Sequence, residues 1–323
     1  MSRRGWVLFA VMSLVWGISY LFIKVAVHDV AVPVLVFVRT AGAALVLLPF
    51  VGRGGWARAG RAVRAHWPWL LAFAALEMIG PWWLLAAAEQ HLTSSFAGLI
   101  VAAVPIVGIG VARLLGERER LGVARWIGLV TGLIGVGVLA APALHGGDAV
   151  AIGQMALVVL GYATAPVLAQ RHLGEVPGLV MATACLAFAG LVYTPLAVLT
   201  WPDRWPSAPS LVALGGLTVV STALAFVAFF ALIREVGTSR AMVFTYVNPA
   251  VAVAAGVLIL EEPLTPSILA AFALIIGGSL LATAFTARAV LPVSGRARPL
   301  LRRYRARRGE TITPPVAEAP GPN

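Results

Sequence analysis

The chain has 323 residues, of which 60% are hydrophobic and 11% charged, whereas about a quarter of the residues in soluble domains are charged. Its charges fall in short runs between apolar stretches of about twenty residues, the length that crosses the hydrocarbon core of a bilayer, so the composition excludes a soluble protein. The single cysteine, Cys185, excludes an intrachain disulfide and a metal site built from paired thiolates.

Taken in chain order, the apolar segments predict ten transmembrane helices in two sets of five. The first set covers about 6–27, 33–50, 69–88, 94–114 and 122–141, and the second covers about 149–169, 177–199, 210–233, 240–260 and 267–286. The predicted fold class is an all-α polytopic membrane protein, embedded in the lipid of a bacterial inner (plasma) membrane.

The arginines predict how these helices are oriented. All but three of the 24 basic residues lie at the chain ends or in the loops on one side. The three exceptions are Arg204, on the opposite side, and Lys24 and Arg39, inside predicted helices. By the positive-inside rule both termini are cytoplasmic. Because the net charge of +11 follows from this topology, no nucleic acid is expected as a partner.

Matching spacings in the two sets predict an internal repeat. Glycine precedes proline by 16 residues in both (Gly17 to Pro33, Gly161 to Pro177), and threonine precedes glutamate by 24 (Thr93 to Glu117, Thr238 to Glu262). An odd number of helices inverts the second repeat, as in many secondary transporters. We expect a first repeat over 1–145, a second over 146–286, and a disordered basic and proline-rich cytoplasmic tail over 287–323.

Several motifs carry a family resemblance: Trp16-Gly17 with Lys24 seven residues later, Arg39 in the second helix, and the segments LLGERERL (114–121) and LEEPLT (260–265). With the ten helices, they resemble the EamA family of the drug/metabolite transporter superfamily. The resemblance implies two inverted five-helix repeats and transport of small metabolites, often amino acids and often outward, without ATP hydrolysis. The second repeat departs from the family's G-E-x-L element by reading EEP, which leaves the role of its glutamates open.

Three charged residues lie inside predicted helices, and each has two interpretations. At about 1.5 Å per residue, Lys24 and Arg39 lie about 5 Å and about 9 Å from the outer side, where both can snorkel or act in transport. Lys24 could pair with Asp29, Glu89 or a substrate carboxylate. Glu77 lies about 13 Å from the cytoplasmic side; it is either a structural buried carboxyl group or a site for a coupling proton or a substrate ammonium group.

Polar and aromatic side chains inside the helices are further candidates for the transport pathway, with helix packing as the alternative: Trp82, Tyr162, Tyr246 and Asn248. Pro105 and Pro249 occupy matching positions in the two repeats and are predicted to be hinges or packing kinks. The G-x-x-x-G sequence of Gly128 and Gly132 predicts close helix packing.

These features predict a secondary transporter that exports a small organic metabolite, an amino acid or a related compound, by alternating access, with or without a coupling proton. No cofactor or metal is expected, and the sequence is compatible with a homodimer. The alternatives are a membrane-embedded sensor or receptor and an intramembrane enzyme. An enzyme is disfavoured because the five histidines lie at helix ends or in loops and no catalytic motif is found.

Overall fold

Residues 1–116 and 122–284 are described by a computed structural model, and they form helices joined by short loops. Nine helices in these ranges are long and apolar enough to cross a membrane, and a shorter apolar helix, Pro266–Ala282, follows them. In chain order, helices 1 to 10 are Arg3–Ala26, Val32–Gly52, Trp56–Glu89, Ser94–Leu114, Val123–His145, Ala149–His172, Gly178–Leu199, Ala208–Val236, Met242–Ile259 and Pro266–Ala284. The predicted all-α polytopic fold is confirmed. Glu117, most of the LLGERERL segment and the tail over 287–323 lie outside the described residues.

Helix 3 differs most from its predicted bounds, because it begins at Trp56 rather than near residue 69. The additional turns contain Arg58, Arg61 and Arg64 among alanines, which are strong helix formers. A spacing of three residues places these arginines on one side of a helix. Hydropathy alone therefore assigned a polar but helical segment to a loop, and that prediction was wrong.

Helices of the two halves pack in the pattern expected of a two-fold axis. Helix 2 packs on helix 7, helix 4 on helix 9, and helix 5 on helix 10, so that each contacts its own counterpart. Helix 3 packs on helix 6, and the equivalent pair, helix 8 on helix 1, is also formed. This pairing agrees with the predicted repeat, and the opposite orientation of its two copies in the membrane stays a prediction.

Irregular segments occur at matching places in the two repeats. Helix 3 contains a π-helical segment, Ala75–Ile79, and helix 8 contains another, Gly216–Leu224. Helix 4 is interrupted just before Pro105, and a 3₁₀ segment precedes Pro249 in helix 9. Each proline stands in the first turn of the segment that follows, where the missing N–H is tolerated. Both prolines therefore mark breaks, and their action as hinges stays a prediction.

The glycines of helix 5 allow close packing against helix 10. A β-carbon added to Gly128 would lie 2.5 Å from the backbone nitrogen of Ala282, and one added to Gly278 would lie 2.5 Å from the backbone nitrogen of Gly132. Arg125 reinforces the contact, since its Nε donates to the carbonyl oxygen of Ala282 at 3.2 Å. The predicted close packing at G-x-x-x-G is confirmed, and its partner is helix 10 of the same chain.

Replacing Gly128 with alanine should separate these two helices. We expect Gly128→Ala to lower the free energy of unfolding by roughly 1–3 kcal/mol, because the new methyl group meets backbone rather than a flexible side chain. Gly137→Ala is the matched control on the same helix, since nothing lies within 4 Å of its added β-carbon. Thermal unfolding in detergent can be followed with a thiol-reactive dye, because Cys185 is buried. Equal unfolding temperatures for the two variants would contradict the packing described.

Candidate functional site

Arg39 of helix 2 lies inside the bundle and is held by two other helices. Its side chain is 6% exposed, and its Nε donates to the hydroxyl oxygen of Thr222 at 3.0 Å. Its Cζ lies 3.6 Å from the centre of the Trp82 ring, a cation–π contact that is strongest when desolvated. The alternative that Arg39 snorkels to the outer surface is therefore wrong.

The irregular segment of helix 8 fixes the position of Thr222. The hydroxyl of Thr222 donates to the carbonyl oxygen of Leu217, five residues earlier, at 2.7 Å, which leaves the lone pairs of its oxygen for Arg39. A π-helical segment offers carbonyl groups at this spacing and is frequent at functional sites. The unusual turn of helix 8 therefore orients the acceptor that Arg39 uses.

Two half-buried tyrosines lie within electrostatic reach of the guanidinium group. The hydroxyl of Tyr162 lies beside Trp82 and within electrostatic reach of both Arg39 and Glu77. Tyr20 of helix 1 is within electrostatic reach of Arg39 and Tyr162. The structure thus brings together Arg39, Glu77, Trp82 and Tyr162, four of the residues singled out in the sequence. With Tyr20 and Thr222 they form what we call the Arg39 cluster.

The π-helical segment of helix 3 presents Glu77 to this cluster. Its neighbour Leu76 is contacted closely by helix 6, where a β-carbon added to Gly161 would lie 2.5 Å from the Leu76 carbonyl oxygen. The hydroxyl of Tyr193 on helix 7 donates to the carbonyl oxygen of Ile79 at 2.6 Å. Irregular backbone within a membrane needs such partners. Among the described residues, no hydrogen bond to the carboxyl group of Glu77 is found.

Lys24 lies near the C-terminal end of helix 1, on the side that the arginine distribution predicts to be outer, and joins helix 1 to helix 3. Its Nζ donates to the main-chain carbonyl oxygens of Glu89 at 2.6 Å and Leu92 at 2.8 Å. These groups are at or just beyond the C-terminus of helix 3, where carbonyl groups lack partners within the helix. Lys24 was expected to find a carboxylate, and one expected partner, Glu89, is the residue that it contacts, but through its main chain.

Glu89 is a site residue that the sequence analysis placed outside the helices. The prediction ended helix 3 at residue 88, whereas helix 3 ends at Glu89 and this side chain is 0% exposed. It lies within electrostatic reach of Lys24, Glu262 and Arg39. The only indication in the sequence that Glu89 could be buried was its position next to the predicted end of helix 3. Tyr20 and Thr222 were not singled out, because their proximity to Arg39 arises from contacts between helices distant in sequence.

Glu262, from the LEEPLT segment, caps the N-terminus of helix 4. Its carboxylate accepts hydrogen bonds from the main-chain N–H groups of Ser94 at 2.7 Å and Ser95 at 3.0 Å, and from the hydroxyl group of Ser95 at 2.5 Å. An acidic group is stabilised here by the helix dipole and by otherwise unpaired N–H groups. The preceding residue, Glu261, adopts a positive φ of 56°, which turns the chain back towards helix 4.

A pocket of about 480 Å³ opens at the end of the bundle that contains Lys24, the end predicted to be outer. Its lining residues come from the ends of helices 1, 4, 8 and 9 and include Lys24, His28, Thr93, Ser207 and Glu262. We call it the outer pocket. Because Lys24 both lines this pocket and contacts Glu89, the outer pocket adjoins the buried polar interior.

Asp29 ties the loop after helix 1 to the start of helix 8. Its Oδ2 accepts hydrogen bonds from the main-chain N–H of Ser207 and from the hydroxyl group of Ser210, both at 2.9 Å. Its Oδ1 lies 2.6 Å from Nδ1 of His28. Hydrogen bonds from Ser207, His28 and Ser210 hold the pKa of Asp29 well below its usual range.

Asn248 and Tyr246 lie on helix 9 and are not part of the Arg39 cluster. With its nitrogen oriented towards these acceptors, the Asn248 amide donates to the carbonyl oxygens of Ser13 and Phe244, both at 3.1 Å. It thereby joins helix 1 to the 3₁₀ segment before Pro249, which favours a positioning role. Tyr246 is half-buried within that 3₁₀ segment.

The Trp16-Gly17 motif packs helix 1 against helices 8 and 9. Trp16 lies between Phe229 and Phe244, with ring centres 5.3 Å away in both cases. A β-carbon added to Gly17 would lie 2.5 Å from the Cβ of Val251. Within the described ranges, no group of three or more His, Cys, Asp or Glu side chains is placed to hold a metal ion.

Comparison with known proteins identifies relatives over most of the chain. Residues 3–141 and again residues 150–284 match the model of the EamA-like transporter family. The "uncharacterized inner membrane transporter YedA" of Escherichia coli (strain K12) is 27% identical over 249 residues, which are 75% of this chain and 78% of that protein. The "uncharacterized transporter YvbV" of Bacillus subtilis (strain 168) is 26% identical over 290 residues, which are 85% of this chain and 90% of that protein.

A solved crystal structure has a similar fold. It is 22% identical in sequence with a TM-score of 0.61, and the match covers 90% of this chain and 100% of that one. At this identity the similarity concerns the fold alone. The two segments that match the family model contain every residue of the Arg39 cluster.

Removing the carboxylate of Glu262 should destabilise the start of helix 4. Glu262→Ala leaves the N–H groups of Ser94 and Ser95 without their acceptor, and we expect the free energy of unfolding to fall by about 2 kcal/mol. The matched control is Glu261→Ala, because that neighbouring side chain is exposed. The dye assay on Cys185 measures both variants. The cap would be disproved if the two variants unfolded at the same temperature.

The Asp29 contact should resist mild acid. The pKa of Asp29 is lowered in the folded state. The ionised carboxylate therefore contributes its full stabilisation at any pH above the pKa of the unfolded chain, about 3.9, and loses it only as the pH falls below that value. Hydrogen exchange over residues 205–211, corrected for intrinsic rates, should show constant protection from pH 7 to about pH 4. Asp29→Asn should reduce this protection, whereas Asp203→Asn, an exposed neighbour, should not. Loss of protection in the wild type by pH 5 would contradict this.

Proposed function

Because the chain belongs to the EamA-like transporter family, we propose that it exports a small organic metabolite, an amino acid or a related compound, by alternating access through the Arg39 cluster. Family and relatives indicate a multi-pass inner-membrane transporter with a small-molecule substrate. The observation that carries the substrate class is the buried guanidinium group of Arg39, held from two sides and close to an acidic side chain.

The guanidinium group suits a carboxylate ligand. The Nε of Arg39 donates to Thr222, and Trp82 covers one face of the guanidinium group. Among the described residues, no hydrogen bond to the two terminal nitrogens of Arg39 is found. Those nitrogens present parallel N–H groups, the arrangement that binds a carboxylate through two hydrogen bonds. A substrate carboxylate would also compensate a charge that is costly inside the bundle.

Glu77 supplies the opposite charge for a substrate amine. Arg39 and Glu77 are each within electrostatic reach of the hydroxyl group of Tyr162, so both charges lie near one side chain. A compound with both a carboxylate and an ammonium group fits such a pair, which supports an amino acid or a related compound. The same carboxyl group could take up a coupling proton when no amine is bound.

The mechanism we infer is rocking of the two repeats about the Arg39 cluster. Helices 1 and 8 are tied together at both ends, by Asp29 with Ser207 at one and by Ser2 with Glu235 at the other, where the Ser2 hydroxyl donates at 2.5 Å. Opening the bundle at one membrane face would require breaking the contact between helices 1 and 8 at that end while the contact at the other end remains. The arginine distribution supports cytoplasmic termini. A homodimer would need a surface other than the Gly128 face, which helix 10 already covers.

Resistance of cells to toxic amino-acid analogues tests the proposal. Cells over-expressing the wild type should survive higher concentrations of at least one analogue. Glu77→Gln should reduce this resistance by tenfold or more, on the order of a lost charged hydrogen bond, whereas Glu175→Gln, in an exposed loop, should not change it. Sensitisation instead of resistance would contradict export.

Flux in proteoliposomes separates transport from the alternatives. The purified chain should move radiolabelled amino acids from a pooled mixture across the vesicle membrane. A sensor or an intramembrane enzyme would leave the distribution of intact label unchanged, and that result would overturn the proposed function.

A further inference from the structure

Glu89 is a buried acidic group that the proposed substrate site does not use. Its side chain is 0% exposed, and neither carboxyl oxygen accepts a hydrogen bond from any residue in the described ranges. An ionised carboxylate is very unfavourable in a dry interior unless it is paired and hydrogen-bonded. The arrangement seen here therefore suits the neutral acid.

Lys24, which could pair with the ionised form of Glu89, already contacts the main chain of Glu89. Lys24 donates to the main-chain oxygens of Glu89 and Leu92, and an ammonium group has three N–H donors. A rotation of the Lys24 side chain would bring its charge to the Glu89 carboxylate, with which it already interacts electrostatically. The two protonation states of Glu89 thus correspond to two positions of one lysine.

The other charged or titratable groups around Glu89 are engaged elsewhere. The carboxylate of Glu262 accepts hydrogen bonds at the N-terminus of helix 4, and Arg39 donates through Nε to Thr222 and stacks on Trp82 rather than contacting Glu89 directly. The groups within electrostatic reach of Glu89, taken over all the helices that pack around it, are Lys24, Glu262, Arg39, Tyr20 and Tyr162. Lys24 is the cation that contacts the same residue directly.

Protons can reach this pair from the outer side. Lys24 lines the outer pocket of about 480 Å³ together with Glu262. Water in that pocket would contact Lys24, which in turn contacts Glu89. Glu89 is also within electrostatic reach of Arg39, Tyr20 and Tyr162, so this pair adjoins the Arg39 cluster.

We propose that Glu89 is a proton-binding site loaded from the outer face, with Lys24 as the partner of its ionised form. This rests on the proposed transport function in assigning the proton to a transport cycle. The carboxyl group takes its proton from water in the outer pocket. When the proton leaves, Lys24 moves from the two carbonyl oxygens to the carboxylate, which loosens the contact between helix 1 and the end of helix 3.

Infrared difference spectroscopy of the full-length chain in phosphatidylcholine vesicles tests this site without a substrate. Raising the pH should remove C=O stretching absorbance of protonated carboxyl groups, and the part of this change that is lost in Glu89→Gln should persist in Glu77→Gln. A Glu89→Gln spectrum that matches the wild type at every pH would overturn the proposal. So would a wild-type spectrum in which no band of a protonated carboxyl group is lost as the pH is raised.

Two further variants keep the test decisive. Lys24→Met should shift the titration of the Glu89 band upwards by about one pH unit or more, because the ion pair that favours the carboxylate is lost; an unshifted titration would reject the role of Lys24.

If Glu89→Gln does not fold, Glu89→Asp should keep a titrating band at a different frequency, and an unaltered band would overturn the assignment. Absence of amino-acid flux with a titrating Glu89 band would reject the transport function and support the proton site.

Discussion

A guanidinium group is charged at every physiological pH, and the need to accommodate one inside the membrane shapes the centre of this bundle. Arg39 takes a hydroxyl acceptor from helix 8 and an aromatic face from helix 3. Thr222 lies within the π-helical segment of helix 8, and Trp82 follows the π-helical segment of helix 3. The irregular turns of both repeats therefore serve the same charge, and the polar side chains around it are positioned by the same two helices.

The other charged residues of the outer half compensate helix ends that lipid cannot hydrogen-bond. Lys24 serves the C-terminus of helix 3, and Glu262 serves the N-terminus of helix 4, the next helix along the chain. Water would satisfy these main-chain groups in a soluble protein. Here Lys24 of helix 1 and Glu262, which follows helix 9, bind these main-chain groups instead of water. The connection between helices 3 and 4 is therefore stabilised by residues near both ends of the sequence.

Local features of the sequence predicted much of the fold, and contacts between distant residues account for what it missed. The ten apolar segments, the matching prolines and the close glycine packing depend on composition and spacing over short distances. The contact of Arg39 with Thr222 spans 183 residues, and nothing near either residue indicates it. Glu89 was predicted only as a possible partner of Lys24 and not as a buried group, because hydropathy placed the end of helix 3 one residue too early. The arginine-containing start of helix 3 was missed because charge was taken to exclude a helix.

The helix pairing is close to two-fold symmetric, but the buried charges are not: Arg39, Glu77 and Glu89 all come from the first repeat, and Thr222 comes from the second. In an assembly of two identical five-helix subunits, each of these residues would occur twice around the axis. Two buried guanidinium groups would then repel each other. Joining the two repeats in one chain removes this restriction, because the residues at equivalent positions can then differ between the two halves.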